Sequence, residues 1–176
     1  EGECMTYSVG FRSPKQDELA RELFLRLSDA PDECPKDVVY KDPKQTAVVH
    51  PGEIPAALLD FARQALEKAL AEPLALERAL GETLSDPKPG VWFEPADDFG
   101  LIENVRLNQR TRMLYDAQHI FINGESYLAA GRDAELMRQL ADTRQLSSAE
   151  VQQLSDDALQ LLSSWVDAGW AHSTAG

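Results

Sequence analysis

Cysteine is scarce. Cys4 and Cys34 are the only two in 176 residues, too few for a disulfide framework or a four-thiolate zinc site. Long apolar runs are also missing: none approaches the roughly 18 residues that a membrane-crossing helix needs. Glu1-Gly2-Glu3-Cys4 has neither the basic nor the apolar region of a secretory signal. Together these absences lead to the expectation of a cytoplasmic chain with reduced thiols and no membrane partner. Basic residues are outnumbered, 17 Lys and Arg against 30 Asp and Glu, for a net charge of −13. A phosphate backbone selects for clustered cations, so nucleic acid is not expected as a direct partner. Gly10, Gly52, Gly81, Gly90 and Gly100 stand alone, so no glycine-rich phosphate loop exists. What remains, 43% hydrophobic and 27% charged residues, describes a globular protein.

Residues 3–11 are rich in β-formers and read as a strand, ended by Pro14. Ser13 fits an N-cap with Pro14 at the first helical position, and Leu19, Leu23, Phe24 and Leu27 continue as an amphipathic helix to about Ser28. Five prolines, at 31, 35, 43, 51 and 55, make 29–55 an irregular connector. A second helix follows from Pro55 on Leu58, Phe61, Leu66 and Leu70. Pro73 interrupts it, and a third stretch carries Leu76, Leu80 and Leu84. Asp86-Pro87-Lys88-Pro89-Gly90 reads as a boundary.

Beyond that boundary, Leu101 to Leu107 is expected to be a short helix or mixed segment. Arg112–Tyr115 and His119–Ile122 read as strands around a turn at Asp116-Ala117-Gln118. Asn123-Gly124 is a strong hairpin signal, because a type I′ turn needs positive φ at both central positions; Glu125–Leu128 is the returning strand. Asp133–Thr143 is helical through Leu136, Met137 and Leu140. Ser147 with Glu150 fits a capping box, and Ser155 caps a last helix on Leu159, Leu162, Trp165 and Val166 that stops at Gly169. A hairpin followed by three short helices predicts a winged-helix-like module over 91–176.

The chain offers little chemistry of its own. His50 sits in the loop His50-Pro51-Gly52-Glu53, His119 reads as a strand-edge side chain, and His172 as part of a frayed tail. No three of these groups are spaced to converge on zinc or iron, so neither metal ligands nor catalytic residues are assigned, and no cofactor-binding residue is identified. Ser8 lacks the context of a nucleophile elbow, and Cys34 lacks a cationic setting. Asp97-Asp98 and Asp156-Asp157 read as solvated or helix-capping acids. The winged-helix shape invites a DNA-binding reading, but residues 145–176 contain no Lys or Arg and carry Glu150, Asp156, Asp157 and Asp167. A recognition helix needs phosphate clamps and base-edge donors. The module does not read as a DNA binder.

A lone N-terminal strand needs an edge from elsewhere to satisfy its backbone. Met5-Thr6-Tyr7-Ser8-Val9-Gly10-Phe11-Arg12-Ser13-Pro14 resembles the last barrel strand of the bacterial ribosomal oxygenases, where the strand typically reads Asn-Tyr-Ser-Val-Gly-Phe-Arg-Ala-Pro. Those enzymes are cupin-fold, JmjC-type hydroxylases of an arginine in a large-subunit ribosomal protein. Tyr40-Lys41-Asp42-Pro43 and His50-Pro51 are similar to the family's connector, Ile120-Phe121-Ile122-Asn123-Gly124-Glu125 to its hairpin, and Val166-Asp167-Ala168-Gly169-Trp170 to its final helix. Thr6 departs from the usual Asn. The resemblance implies Fe(II) and 2-oxoglutarate as cofactors of the full-length protein. It places the iron ligands, a His-x-Asp pair and a later His, before Glu1, leaving none in this chain.

The expectation is therefore an α+β, mostly helical chain in three parts. Residues 1–13 would be the remnant last strand of a cupin barrel, 14–90 a helical dimerisation region with a proline-rich connector, and 91–176 the winged-helix-like domain. The implied function is that of the C-terminal dimerising and substrate-supporting part of an arginine hydroxylase, inactive by itself. Leu58, Phe61, Leu66 and Leu70 are the expected homodimer interface, since so small a region cannot cover every apolar stripe. A basic ribosomal protein is the implied substrate. The alternative is a non-enzymatic helical or winged-helix adaptor for protein interactions.

Overall fold

The protein, seen as a computed structural model, is described at residues 13–29, 38–43, 50, 52–95 and 102–174. The expected strand over 3–11, both cysteines, Asp97-Asp98 and much of the connector lie outside the described residues.

Three helices come first: α1 (Gln16–Asp29), α2 (Ala56–Ala71) and α3 (Ala75–Ser85). Helix α1 starts later than the Ser13 cap predicts; the first helical bond runs from Leu19 N–H to Lys15 C=O. Pro14 therefore lies just outside the helix. Pro55 occupies the N-cap of α2, its fixed φ of −60° suiting the entry. Pro73 separates α2 from α3 as expected, and Leu74 makes the corner in a left-handed conformation at φ 62°.

Two small antiparallel sheets follow. β2 (Met113–Tyr115), β3 (His119–Ile122) and β4 (Glu125–Leu128) form one sheet with β3 central. The Asn123-Gly124 turn has φ of 49° and 90°, the two positive values that a type I′ turn demands. The second sheet has the order β5–β1–β6, with β1 (Asn104–Leu107) between β5 (Gln145–Leu146) and β6 (Ala171–Thr174). Two expectations are corrected here. Within Leu101 to Leu107, expected as a short helix or mixed segment, residues 104–107 are a strand, and His172 belongs to β6, opposite Arg106, rather than to a frayed tail. Helix α4 (Gly131–Thr143), the capping-box helix α5 (Ser148–Val151) and α6 (Asp156–Asp167) complete the module. Ser155 caps α6, its hydroxyl accepting from Ala158 N–H.

Helix α6 ends as its sequence requires. Gly169 N–H donates to Val166 C=O and Trp170 N–H to Trp165 C=O, the paired bonds of a Schellman motif. Gly169 sits at φ 74°, and its bare α-carbon lies against the backbone of Glu94. The Trp170 carbonyl then accepts from Asn108 N–H and from the Thr111 hydroxyl, which steers the chain into β6.

The core packs Val105 and Leu107 of β1, Ile120 and Ile122 of β3, Leu136 and Leu140 of α4, and Leu162, Trp165 and Val166 of α6. All four residues of β3 are buried because the hairpin sheet is covered on both faces. Helix α3 forms the second cover. Its inward side is Ala75, Ala79, Gly81 and Ser85, whereas Leu76 and Leu84, expected on an apolar stripe, stay exposed. The Phe121 ring fills the space a Cβ would take at Gly81, so only small residues let the helix come this close. The Asp86–Gly90 loop therefore joins elements that touch. Gly124 N–H donates to Ser85 Oγ, and Arg26 of α1 reaches both the Asp86 carboxylate, at 2.8 Å, and the Gly124 carbonyl. Helices and hairpin together give the α+β, mostly helical, winged-helix-like architecture expected.

Candidate functional site

Helix α2 is the least covered element, with no buried residue in sixteen. At about 100° per residue, Leu59, Leu66 and Leu70 fall on one ridge, and these three are 56%, 58% and 50% exposed. Leu58 flanks the ridge and is also exposed. Phe61 lies well over 100° around the helix and packs edge-on against Tyr40, ring centroids 5.6 Å apart. The structure thus splits the predicted group: Leu58, Leu66 and Leu70 face outward, while Phe61 seats α2 on the connector. Leu59 belongs to the ridge and was missed, although its spacing of seven from Leu66 carries the signal.

The histidines do not assemble a site. His50 stays in its loop, where its carbonyl accepts from Glu53 N–H. His119 corrects its prediction. It is 5% exposed, in the central strand rather than at an edge, and stacks on Phe121. Its Nδ1 lies 3.1 Å from the Asp116 carboxylate, which also accepts from the Gln118 and His119 N–H groups. Burial pushes the Asp116 carboxyl up, but those two N–H donors and then the His119 ring outweigh it and hold its pKa below the ordinary carboxylate value. Asp156 and Asp157 occupy the first turn of α6, as expected for acids at a helix N-terminus. Among the described residues, no three His, Cys, Asp or Glu side chains gather to hold a metal ion. No described helix is long and apolar enough to cross a membrane.

The Asp116 corner makes a pH prediction. Its depressed folded pKa gives stability that is fully present above the unfolded carboxylate value of about 3.9 and lost as pH falls through the lower folded value. Asp116→Ala removes three acceptor contacts and is expected to cost about 1–3 kcal/mol at pH 7. That gap should narrow in urea titrations carried below pH 4. A gap unchanged at pH 2.5 would mean that the Asp116 charge contributes nothing.

The family described as "ROXA-like winged helix" matches residues 65–172. Among solved structures, the chain is similar in fold to YcfD, a ribosomal oxygenase from Escherichia coli, with a TM-score of 0.69 at 19% identity over 95% of this chain and 48% of that one. It is also similar to YcfD in complex with cobalt and succinic acid, at 0.68 and 20% identity over 93% and 47% of the two chains. For YcfD in complex with cobalt and 2-oxoglutarate the values are 0.67, 20%, 93% and 47%. The chain spans about half the length of these structures. No curated protein matches it.

Proposed function

The chain belongs to the ROXA-like winged-helix family, and from that membership we propose that it is the C-terminal part of a ribosomal oxygenase that hydroxylates an arginine of a large-subunit ribosomal protein. The observation that carries this reading is one of coverage: nearly all of this chain superposes on about half of a ribosomal oxygenase. The run Tyr7-Ser8-Val9-Gly10-Phe11-Arg12, similar in sequence to the last barrel strand of that family, supports the same parent. Charge supports it too, because a chain at −13 suits a basic polypeptide substrate better than nucleic acid.

In this reading O2 is the oxidant, and Fe(II) with 2-oxoglutarate would supply the electrons that activate it. The described residues do not fit an iron site, since no three ligating side chains converge among them, and no catalytic step is assigned to this chain. Its work is architectural. Helices α1 to α3 hold the winged-helix module through Arg26, Asp86 and Gly124, and the α2 ridge pairs two copies.

The test uses the complete reading frame that contains this sequence, expressed and incubated with ribosomal proteins, Fe(II), O2 and 2-oxoglutarate. Mass spectrometry is expected to find one added oxygen on an arginine, dependent on 2-oxoglutarate, while the 176-residue chain alone makes no iron-dependent succinate. A folded complete protein that oxygenates no ribosomal protein would favour the adaptor reading. Succinate made by the isolated chain would overturn the assignment of chemistry to residues outside it.

A further inference from the structure

Where β3 and β4 meet the first turns of α6, the winged-helix module holds a cleft of about 250 Å³. Its walls include Tyr127, Leu128, Leu161 and Trp165, and among the described residues its only charged lining groups are Asp133 and Asp157. Leu128 stands at the rim 74% exposed, an apolar side chain held in water. Asp133 already accepts from Ser155 N–H and Oγ, which fixes its carboxylate in place. The Asp157 carboxylate has no hydrogen bond or ion pair among the described residues. Trp165 lines the cleft and is 1% exposed. Its indole N–H is held by the Tyr127 hydroxyl oxygen, whose own proton goes to Glu125.

We propose that this cleft binds the side chain of a lysine or arginine carried by a basic partner polypeptide. The aliphatic stem lies along Leu128 and Leu161, and the cation meets Asp157 and Asp133. Size selects a side chain: small-molecule pockets run roughly 300–1,000 Å³, more than this cleft offers. Charge selects a cation, because both charged lining residues are acidic and residues 145–176 contain no Lys or Arg to neutralise them. Arg132, the nearest basic neighbour in sequence, is taken by Glu135 and Gln153. The adjoining hollow shares Leu128 but pairs Glu135 with Arg138 in its lining, so it lacks the same bias. Long basic side chains bury their stems on apolar surface while the head group stays polar, which is the combination found here.

Binding here does not depend on oxygenase activity, so either reading can fail alone. The test is titration of the isotope-labelled chain with a short arginine-containing peptide, and with the same peptide carrying uncharged citrulline, followed by NMR. The arginine peptide is expected to shift the Trp165 indole N–H and the Leu128 and Ala158 amides in a saturable way. Citrulline, or the surface variant Asp157→Asn with an unchanged spectrum otherwise, should weaken binding about two- to fivefold. Equal binding of both peptides would overturn the charge assignment. Shifts scattered over the acidic surface, or none at millimolar peptide, would overturn the site. Shifts of the same resonances on raising protein concentration alone would assign the cleft to a second copy of this chain.

Discussion

Gly169→Ala is expected to destabilise the protein by about 2–5 kcal/mol and lower its melting temperature by on the order of 10 °C. Two effects combine. Gly169 sits at φ 74°, where a side chain costs about 1–2 kcal/mol. An added Cβ would also fall 2.1 Å from the Glu94 carbonyl oxygen, and that neighbour is backbone, which cannot swing aside. Relief requires moving the 91–95 segment or unwinding the end of α6, an overpacking cost of about 1–3 kcal/mol. The damage should spread, because the turn at Gly169 sets the Trp170 carbonyl that Asn108 and Thr111 both use. Thermal and urea denaturation followed by circular dichroism measure it. Gly52→Ala is the control, since nothing lies within 4 Å of a Cβ there. Equal melting of the two variants would mean that the close approach to Glu94 carries no energy.

Leu66→Asp is expected to abolish the self-association proposed for the α2 ridge. Half-exposed leucines at 58, 59, 66 and 70 on each of two copies would release roughly 6–12 kcal/mol if fully covered, taking about half of the 1.5–3 kcal/mol for burying each side chain. Association costs about 4–15 kcal/mol, a range that spans this whole gain, so a dimer held by the ridge alone is weak and a concentration series reaching hundreds of micromolar is the range to examine. A two-fold pair would set each ridge against its own copy, and an aspartate at its centre would be buried without a partner. Sedimentation equilibrium should give twice 19.5 kDa for the wild type and 19.5 kDa for Leu66→Asp. Phe61→Asp should act differently, by loosening α2 from Tyr40. A wild type that stays at 19.5 kDa would mean that the ridge is covered by something other than a second copy.

What could be read from the sequence was local. The Asn123-Gly124 turn, the Ser147–Glu150 box, Pro73 and Gly169 each act through neighbours within a few residues, so residue type alone points to the conformation. What was misread depends on distant partners. β1 is a strand because Val105 pairs with Leu146 on one side and Ser173 on the other, and nothing within 101–107 announces either. The inward side of α3 was hidden for a related reason. Size drew attention to Leu76 and Leu84, whereas the helix needed small residues to approach Phe121. His119 looked peripheral because its neighbours in the sheet, and the helices that close over both faces, are contributed by other segments. On α2 the apolar positions were legible, but Tyr40 decides which of them face away.

The strand that closes the second sheet comes from the far end of the module. Leu107 faces Ala171 and Asn104 faces Thr174, so the first and last strands of the winged helix pair with each other. Contacts of such long sequence separation slow folding, because the intervening loop must be ordered before the pairing is rewarded. During synthesis the hairpin and α4 leave the ribosome and can assemble early. Until residues 171–174 emerge, β1 has only the two-residue β5 beside it. Until that strand is made, one edge of β1 stays bare in the nascent module, and the fold cannot be completed.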